Sequence, residues 1–222
     1  MTEDIIALAS HSKNESQIEE MLDSGDVGVL KAISRNSNAS MSVLNKLAQH
    51  ENTEVRLGVA ENGSTSSLLL AKLAKDIEED VRMGVAGNQS TTSEILGSLI
   101  EDESIHVRVW AGRNYNMSTS DLDRLSIDTE DRVRACVADH SNTSPEVLKI
   151  LSQEDNEDIR EAVARNVNIP DVVLAQLVED ESMWVRKALA RNTYVPIDIL
   201  KKLSKDESEI VRESVSNNVN WS

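Results

Sequence analysis

Phenylalanine is absent from the chain, and Trp and Tyr bring the aromatic share to only 2%. Any apolar core must therefore be built from Leu, Val, Ile and Ala. A single cysteine, Cys136, excludes an internal disulfide and a cysteine-rich metal or iron–sulfur centre. The histidines, His11, His50, His106 and His140, fall in unrelated phases of the pattern described below and form no ligand set. No run approaches the ~18 apolar residues needed to cross a bilayer. The opening MTEDIIALAS is acidic, unlike a secretory leader, and the expected location is a reducing cytoplasm. Cations are scarce too: 23 Lys and Arg stand against 39 Asp and Glu, a formal charge of −16 across 222 residues. Such a chain is ill suited to a phosphate backbone or an anionic membrane, so neither is expected as a direct partner. A protein partner, basic in character, is the expectation that charge alone supports.

What the chain has instead is repetition, the first thing to look for in any sequence. A Val/Ile-Arg pair recurs at Val55-Arg56, Val81-Arg82, Val107-Arg108, Val133-Arg134, Ile159-Arg160, Val185-Arg186 and Val211-Arg212, always 26 residues apart. Val29-Leu30 is an eighth copy without the Arg. Seven residues after each Val or Ile stands Asn36, Asn62, Asn88, Asn114, His140, Asn166, Asn192 or Asn218. Two leucine columns fill the other half of the unit, from Leu44 to Leu200 and from Leu47 to Leu203. The pattern predicts one domain over 1–222, with 1–28 a degenerate capping repeat and 29–222 eight repeats. The last is incomplete and leaves an apolar end that a second copy of the chain could cover.

Each unit reads as two short helices. In TSPEVLKILS (143–152), Thr143 is placed to cap, Pro145 to sit in the first turn and Glu146 to close a capping box; Thr91 and Glu94 repeat the device. In EDIREAVARN (157–166), Ile159, Ala162 and Val163 share a buried face, and Asn166 is suited to a left-handed exit. Helices under ~12 residues are marginal alone, so neighbouring units must hold each other, which is the logic of a solenoid. An acid precedes each Arg after Arg56 by six residues: Asp76 to Arg82, Asp102 to Arg108, Asp128 to Arg134, Glu154 to Arg160, Asp180 to Arg186 and Asp206 to Arg212. This set is expected to form a structural ladder, the Arg bridging its own carboxylate and that of the adjacent unit.

The stretch LAKDIEEDVRMGVAGNQSTTSEIL (73–96) resembles the leucine-rich-repeat-variant family, part of the wider HEAT-like group. The Asp-x5-Arg spacing and the VRxxVAxN phrase carry the resemblance. It implies an all-α, right-handed superhelical solenoid of two-helix repeats and, at the level of fold alone, a protein-binding scaffold. The iron–sulfur cluster of some members does not carry over, because no Cys precedes Cys136.

Chemistry is hard to find. His50-Glu51 is a lone pair where a HEAT-like hydroxylase would need several. Cys136 stands in a column of small residues, as a buried thiol would. No Gly-rich phosphate loop appears, and no insertion supplies an active-site lid. No catalytic residue, cofactor or metal is expected, which makes a repeat enzyme the least favoured reading. Acidic runs before each second helix point to an extended acidic surface, and so also to a decoy for a nucleic-acid-binding protein. The sharper signal lies where the pattern breaks. The stripe one before, two after and six after the Val is apolar at Leu57, Met83 and Val109, and the fourth copy adds Ile105, His106, Arg113 and Tyr115. Met183, Trp184, Lys187, Arg191 and Tyr194 mark the seventh copy. Exposed Trp, Tyr, Met and Arg are what a binding hot spot uses. Trp110 breaks the small column and reads equally as packing between units. The expected function is a non-catalytic interaction scaffold.

Overall fold

In the computed structural model, which describes residues 2–221, every regular element among the described residues is an α-helix. Contacts group the chain into two compact units, one ending at Met117 and one beginning at Ser118, a division that the uniform repeat does not announce. The first holds α1 (Thr2–His11), α2 (Glu15–Leu22), α3 (Val27–Arg35), α4 (Met41–Leu47), α5 (Thr53–Glu61), α6 (Ser67–Leu73), α7 (Glu79–Gly87), α8 (Ser93–Leu99) and α9 (Ile105–Arg113). The second holds α10 (Thr119–Leu125), α11 (Asp131–Asp139), α12 (Pro145–Leu151), α13 (Glu157–Arg165), α14 (Asp171–Leu177), α15 (Met183–Arg191), α16 (Ile197–Leu203) and α17 (Glu209–Ser216).

Long and short helices alternate in the chain and separate in space. In the first unit α1, α3, α5, α7 and α9 pack side by side in one row; in the second α11, α13, α15 and α17 do the same. Within each unit the seven-residue helices lie behind these rows, and all but α10 bridge successive long ones. Each unit is thus a helical-repeat stack. The Val/Ile column from Val55 to Val211 is fully buried, and both leucine columns line the seam between the two helix layers. Each such side chain removed from water contributes about 1.5–3 kcal/mol, which a nine-residue helix cannot supply from its own hydrogen bonds. Ala60, Ala86, Ala138, Ala164 and Ala190 are fully buried where adjacent long helices approach. Gly58 shows how close that approach becomes: a Cβ there would land on Ser34 Oγ.

Two local expectations are corrected. The cap of each short helix sits one residue later than the sequence suggested: Ser144, not Thr143, accepts the Val147 N–H, and the cap of α8 is Thr92 rather than Thr91. Thr91 and Thr143 are buried and donate backward, to the carbonyls of Val85 and Val137, tying the turn to the end of the preceding long helix. Glu146 and Glu94 thereby lie one position short of a capping box. Pro145 does occupy the first helical position.

The second correction concerns Asn166. It leaves α13 in an extended conformation, φ −60° and ψ 144°, and no residue except Gly25 has positive φ among those described. Its side chain explains the choice. Asn166 Nδ2 donates to the carbonyls of Ala138 and His140 at 2.8 and 2.9 Å, and its Oδ1 accepts the Asn168 N–H at 2.8 Å. Asn36, Asn62, Asn88, Asn114, Asn192 and Asn218 repeat this arrangement, each bonding two carbonyls of the preceding repeat. An amide offers two donors and an acceptor in one plane, which no other short side chain supplies. His140 reproduces the acceptor half, taking the Asn142 N–H on Nδ1.

Candidate interaction grooves

A ladder of ion pairs spaces the long helices and so sets the face on which the candidate side chains stand. Of the two carboxylates each Arg was expected to bridge, its own and that of the adjacent unit, the side chain holds the acid of the next repeat and not the one six residues before it. Arg56 grips Asp76 with two parallel bonds of 2.7 and 2.9 Å, and Arg82 grips Asp102 at 2.7 and 3.0 Å. In the second unit Arg134 holds Glu154, Arg160 holds Asp180, and Arg186 holds Asp206 in the same two-pronged way. The third guanidinium nitrogen turns back to its own repeat, but to main chain. Arg82 Nη1 bonds the Asp76 and Ile77 carbonyls, and Arg108 and Arg212 bond those of Asp102 and Asp206. The carboxylate cannot also fold inward, because its Oδ1 already accepts a main-chain N–H two residues on, from Glu78, Ser104, Glu130, Ser182 and Ser208 in turn.

Burial alone would push Asp76, Asp102 and Asp206 upward. The hydrogen bond from the preceding Arg, the main-chain N–H and the flanking guanidinium charges outweigh it and hold all three below the ordinary carboxylate range. Hydrogen bonds to these acids raise Arg56, Arg82 and Arg186. The acidic runs therefore carry less free charge than their composition suggests, since one acid of each of these pairs is engaged. His50 stands in the acid column, and its Nδ1 accepts the Asn52 N–H as an Asp Oδ1 would. That role accounts for the His50-Glu51 pair. Among the described residues, no three His, Cys, Asp or Glu side chains gather as a metal site.

Two grooves open on the solvent side of the long-helix rows, one in each unit. The first, about 310 Å³, runs between α5, α7 and α9. Leu57, Met83 and Trp110 form its apolar walls, Gly84 and Gly87 its floor, and Glu61 and Asp80 its rim. Trp110 is 47% exposed, and its ring edge lies where a Cβ on Gly87 would touch it at 3.4 Å. The small-column break thus packs on its neighbour and still faces solvent. Trp110 belongs with Leu57 and Met83 but lies outside the expected stripe. The signal for it was Gly87 in α7, which clears the space the ring fills, while Gly84 makes room for Leu57.

The second groove, about 410 Å³, lies along α13 and α15 and the turn that follows α15. Trp184, Lys187, Arg191 and Tyr194, four of the five residues marked in the seventh copy, line it together with Val167, Ala188 and the Arg165–Glu161 pair. Trp184 is 43% and Tyr194 69% exposed, and Lys187 Nζ stands 4.6 Å from the Trp184 ring centroid. Met183 lies apart from the groove, with its sulfur against Ser208 Oγ. The remaining fourth-copy candidates also lie outside both grooves. His106 is paired with Glu79 at 2.9 Å, Tyr115 donates to the Gln89 carbonyl, Ile105 and Val109 are half-buried, and Arg113 is exposed. Cys136 is buried, its thiol directed at the Val133 carbonyl.

A solved structure described as a leucine-rich repeat variant with a novel repetitive structural motif superimposes with a TM-score of 0.64 at 21% identity. The match covers 96% of this chain and 81% of that one. The two share a helical-repeat fold. The YibA protein of E. coli is a more distant likeness, with a TM-score of 0.50 and 16% identity over 91% of each chain. No protein-family model matches the chain. No curated protein matches it either.

Proposed function

We propose that this chain is a non-catalytic protein-interaction scaffold that seats partner segments on the solvent side of its long-helix rows. The observation that carries the reading is the Trp184 groove. A large half-exposed indole, a tyrosine and two cations converge there in a protein that has almost no aromatic residues to place. Aromatic and Arg side chains around a concave surface of this size are the usual anchors of a recognition site. The repeat fold supports the same reading, since its buried columns are wholly structural and leave variation to the outer face. The Leu57–Met83–Trp110 groove, with Asp80 at its rim, suits a segment carrying apolar and basic side chains.

The decoy reading is the weaker one. A nucleic-acid mimic needs a dense array of free carboxylates, and the ladder acids are held in pairs with arginine. The test is a Trp184→Ala, Arg191→Ala double variant offered to a displayed library of random peptides. The wild-type chain should enrich ligands that the variant does not hold, while its melting temperature stays within about 2 °C of wild type, as for exposed substitutions generally. A variant that retains the same ligands removes the reading.

A further inference from the structure

We infer that the Trp184 groove selects an acidic peptide segment, with an apolar or aromatic side chain seated between Trp184 and Tyr194 and a neighbouring carboxylate held by Arg191 and Lys187. The inference rests on the docking role proposed above and adds the chemistry of the occupant. It starts from register. Arg191 lies six residues beyond its Val, and the residues at the same place in the flanking repeats are Arg165 and Asn217. Two other arginines of this column find acids laterally: Arg35 meets Glu61 at 3.5 Å, and Arg165 meets Asp139 at 3.1 Å. Arg191 has a cation on one side and a neutral amide on the other, and it enters no ion pair among the described residues.

Lys187 is placed similarly. The nearest acid of its column in the preceding repeat, Glu161, is taken by Arg165 at 2.7 Å, and the Lys187 ammonium rests over the Trp184 ring instead. In a chain of formal charge −16, this groove therefore presents two cations that pair with no acid among the described residues, beside two exposed aromatic rings. A guanidinium offers a planar fork that fits a carboxylate, and the ammonium adds a second positive point. At a screening length of about 8 Å these cations act on a bound segment more strongly than the distant negative charge of the chain. That same overall charge disfavours a nucleic acid, whose many phosphates would meet only two cations.

The experiment selects displayed random peptides on the full wild-type chain with counter-selection on Trp184→Ala. A recovered peptide is then synthesised with its acidic residues intact, with Glu and Asp changed to Gln and Asn, and with both changed to Lys. The expected result is a pool enriched in Asp and Glu. The neutral version should bind about tenfold more weakly than the acidic one, and Arg191→Glu should invert the order in favour of the Lys version. A Trp184-dependent pool of neutral or basic peptides overturns the acidic preference and leaves the docking role standing. A pool that ignores Trp184→Ala overturns the docking role itself. A single-stranded oligonucleotide that displaces the acidic peptide at equal concentration also overturns the proposal, in favour of a nucleic-acid site.

Discussion

Asn88 is held by all of its side-chain amide's bonding groups. It is buried, its Nδ2 serves the carbonyls of Ala60 and Asn62, and its Oδ1 receives the Ser90 N–H. Replacing it by Ala strands two acceptors and one donor, each costing about 1–3 kcal/mol when buried without a partner. Asn88→Ala should therefore lose about 3 kcal/mol in urea unfolding. Asn88→Asp should be worse at neutral pH, because it faces a carboxylate toward two carbonyl oxygens. Its folded-state pKa is raised, so part of the stability should return as the pH falls and the side chain protonates. A Tm lower at pH 4 than at pH 7 for this variant, corrected for wild type, would contradict the account. Gly58 is constrained by space rather than by hydrogen bonding. Gly58→Ala meets Ser34 and should cost about 1–3 kcal/mol, most of it recovered by adding Ser34→Gly.

The long helix is stabilised by its neighbours rather than by its own turns, and the arginine ladder is the polar part of that support. Arg160 and Asp180 are nearly buried, and Arg160 also closes its own loop through the Glu154 and Asp155 carbonyls. Arg160→Ala leaves Asp180 charged and unpaired and should cost about 3 kcal/mol. Arg160→Lys should recover only part, since one ammonium cannot span the carboxylate and two carbonyls. The same pairs fix the response to acid. The folded pKa values of Asp76, Asp102 and Asp206 lie below their unfolded values, so the stabilisation is full above the unfolded pKa near 3.9 and is lost as the pH falls through the lower folded values. The melting temperature should hold from neutral pH to about pH 5 and fall below pH 4. Asp102→Asn should lower it at neutral pH and flatten that fall. An acid limb unchanged by Asp102→Asn would show that other groups govern it.

At the scale of the whole chain, contacts run mainly between successive repeats, and stability should scale with the number of units rather than depend on one central core. Removing residues 157–182, which joins the cap Asn156 to the start of α15, preserves every column. The shortened chain should fold with unchanged helical ellipticity per residue and a moderately lower Tm. Deleting half as much, residues 157–169, should put Asp198 in the place of Val185 and Lys187 in the place of Leu174, and abolish cooperative unfolding. No described helix is long and apolar enough to cross a membrane.

The sequence determined the helical class, the buried columns and the places where the pattern breaks, because a 26-residue step places like residues at like depths whatever the detailed geometry. It could not say that Asn88 bonds backward or that Arg82 reaches forward to Asp102. Nor could it say that Thr143 turns inward while Ser144 caps, or that Trp110 joins Met83 on the floor of Gly84 and Gly87. Apart from the Thr143 turn, which is a contact over six residues, those outcomes depend on distances between chain segments some twenty to thirty residues apart. Spacing in one dimension does not fix such distances; only the packed interface between repeats does.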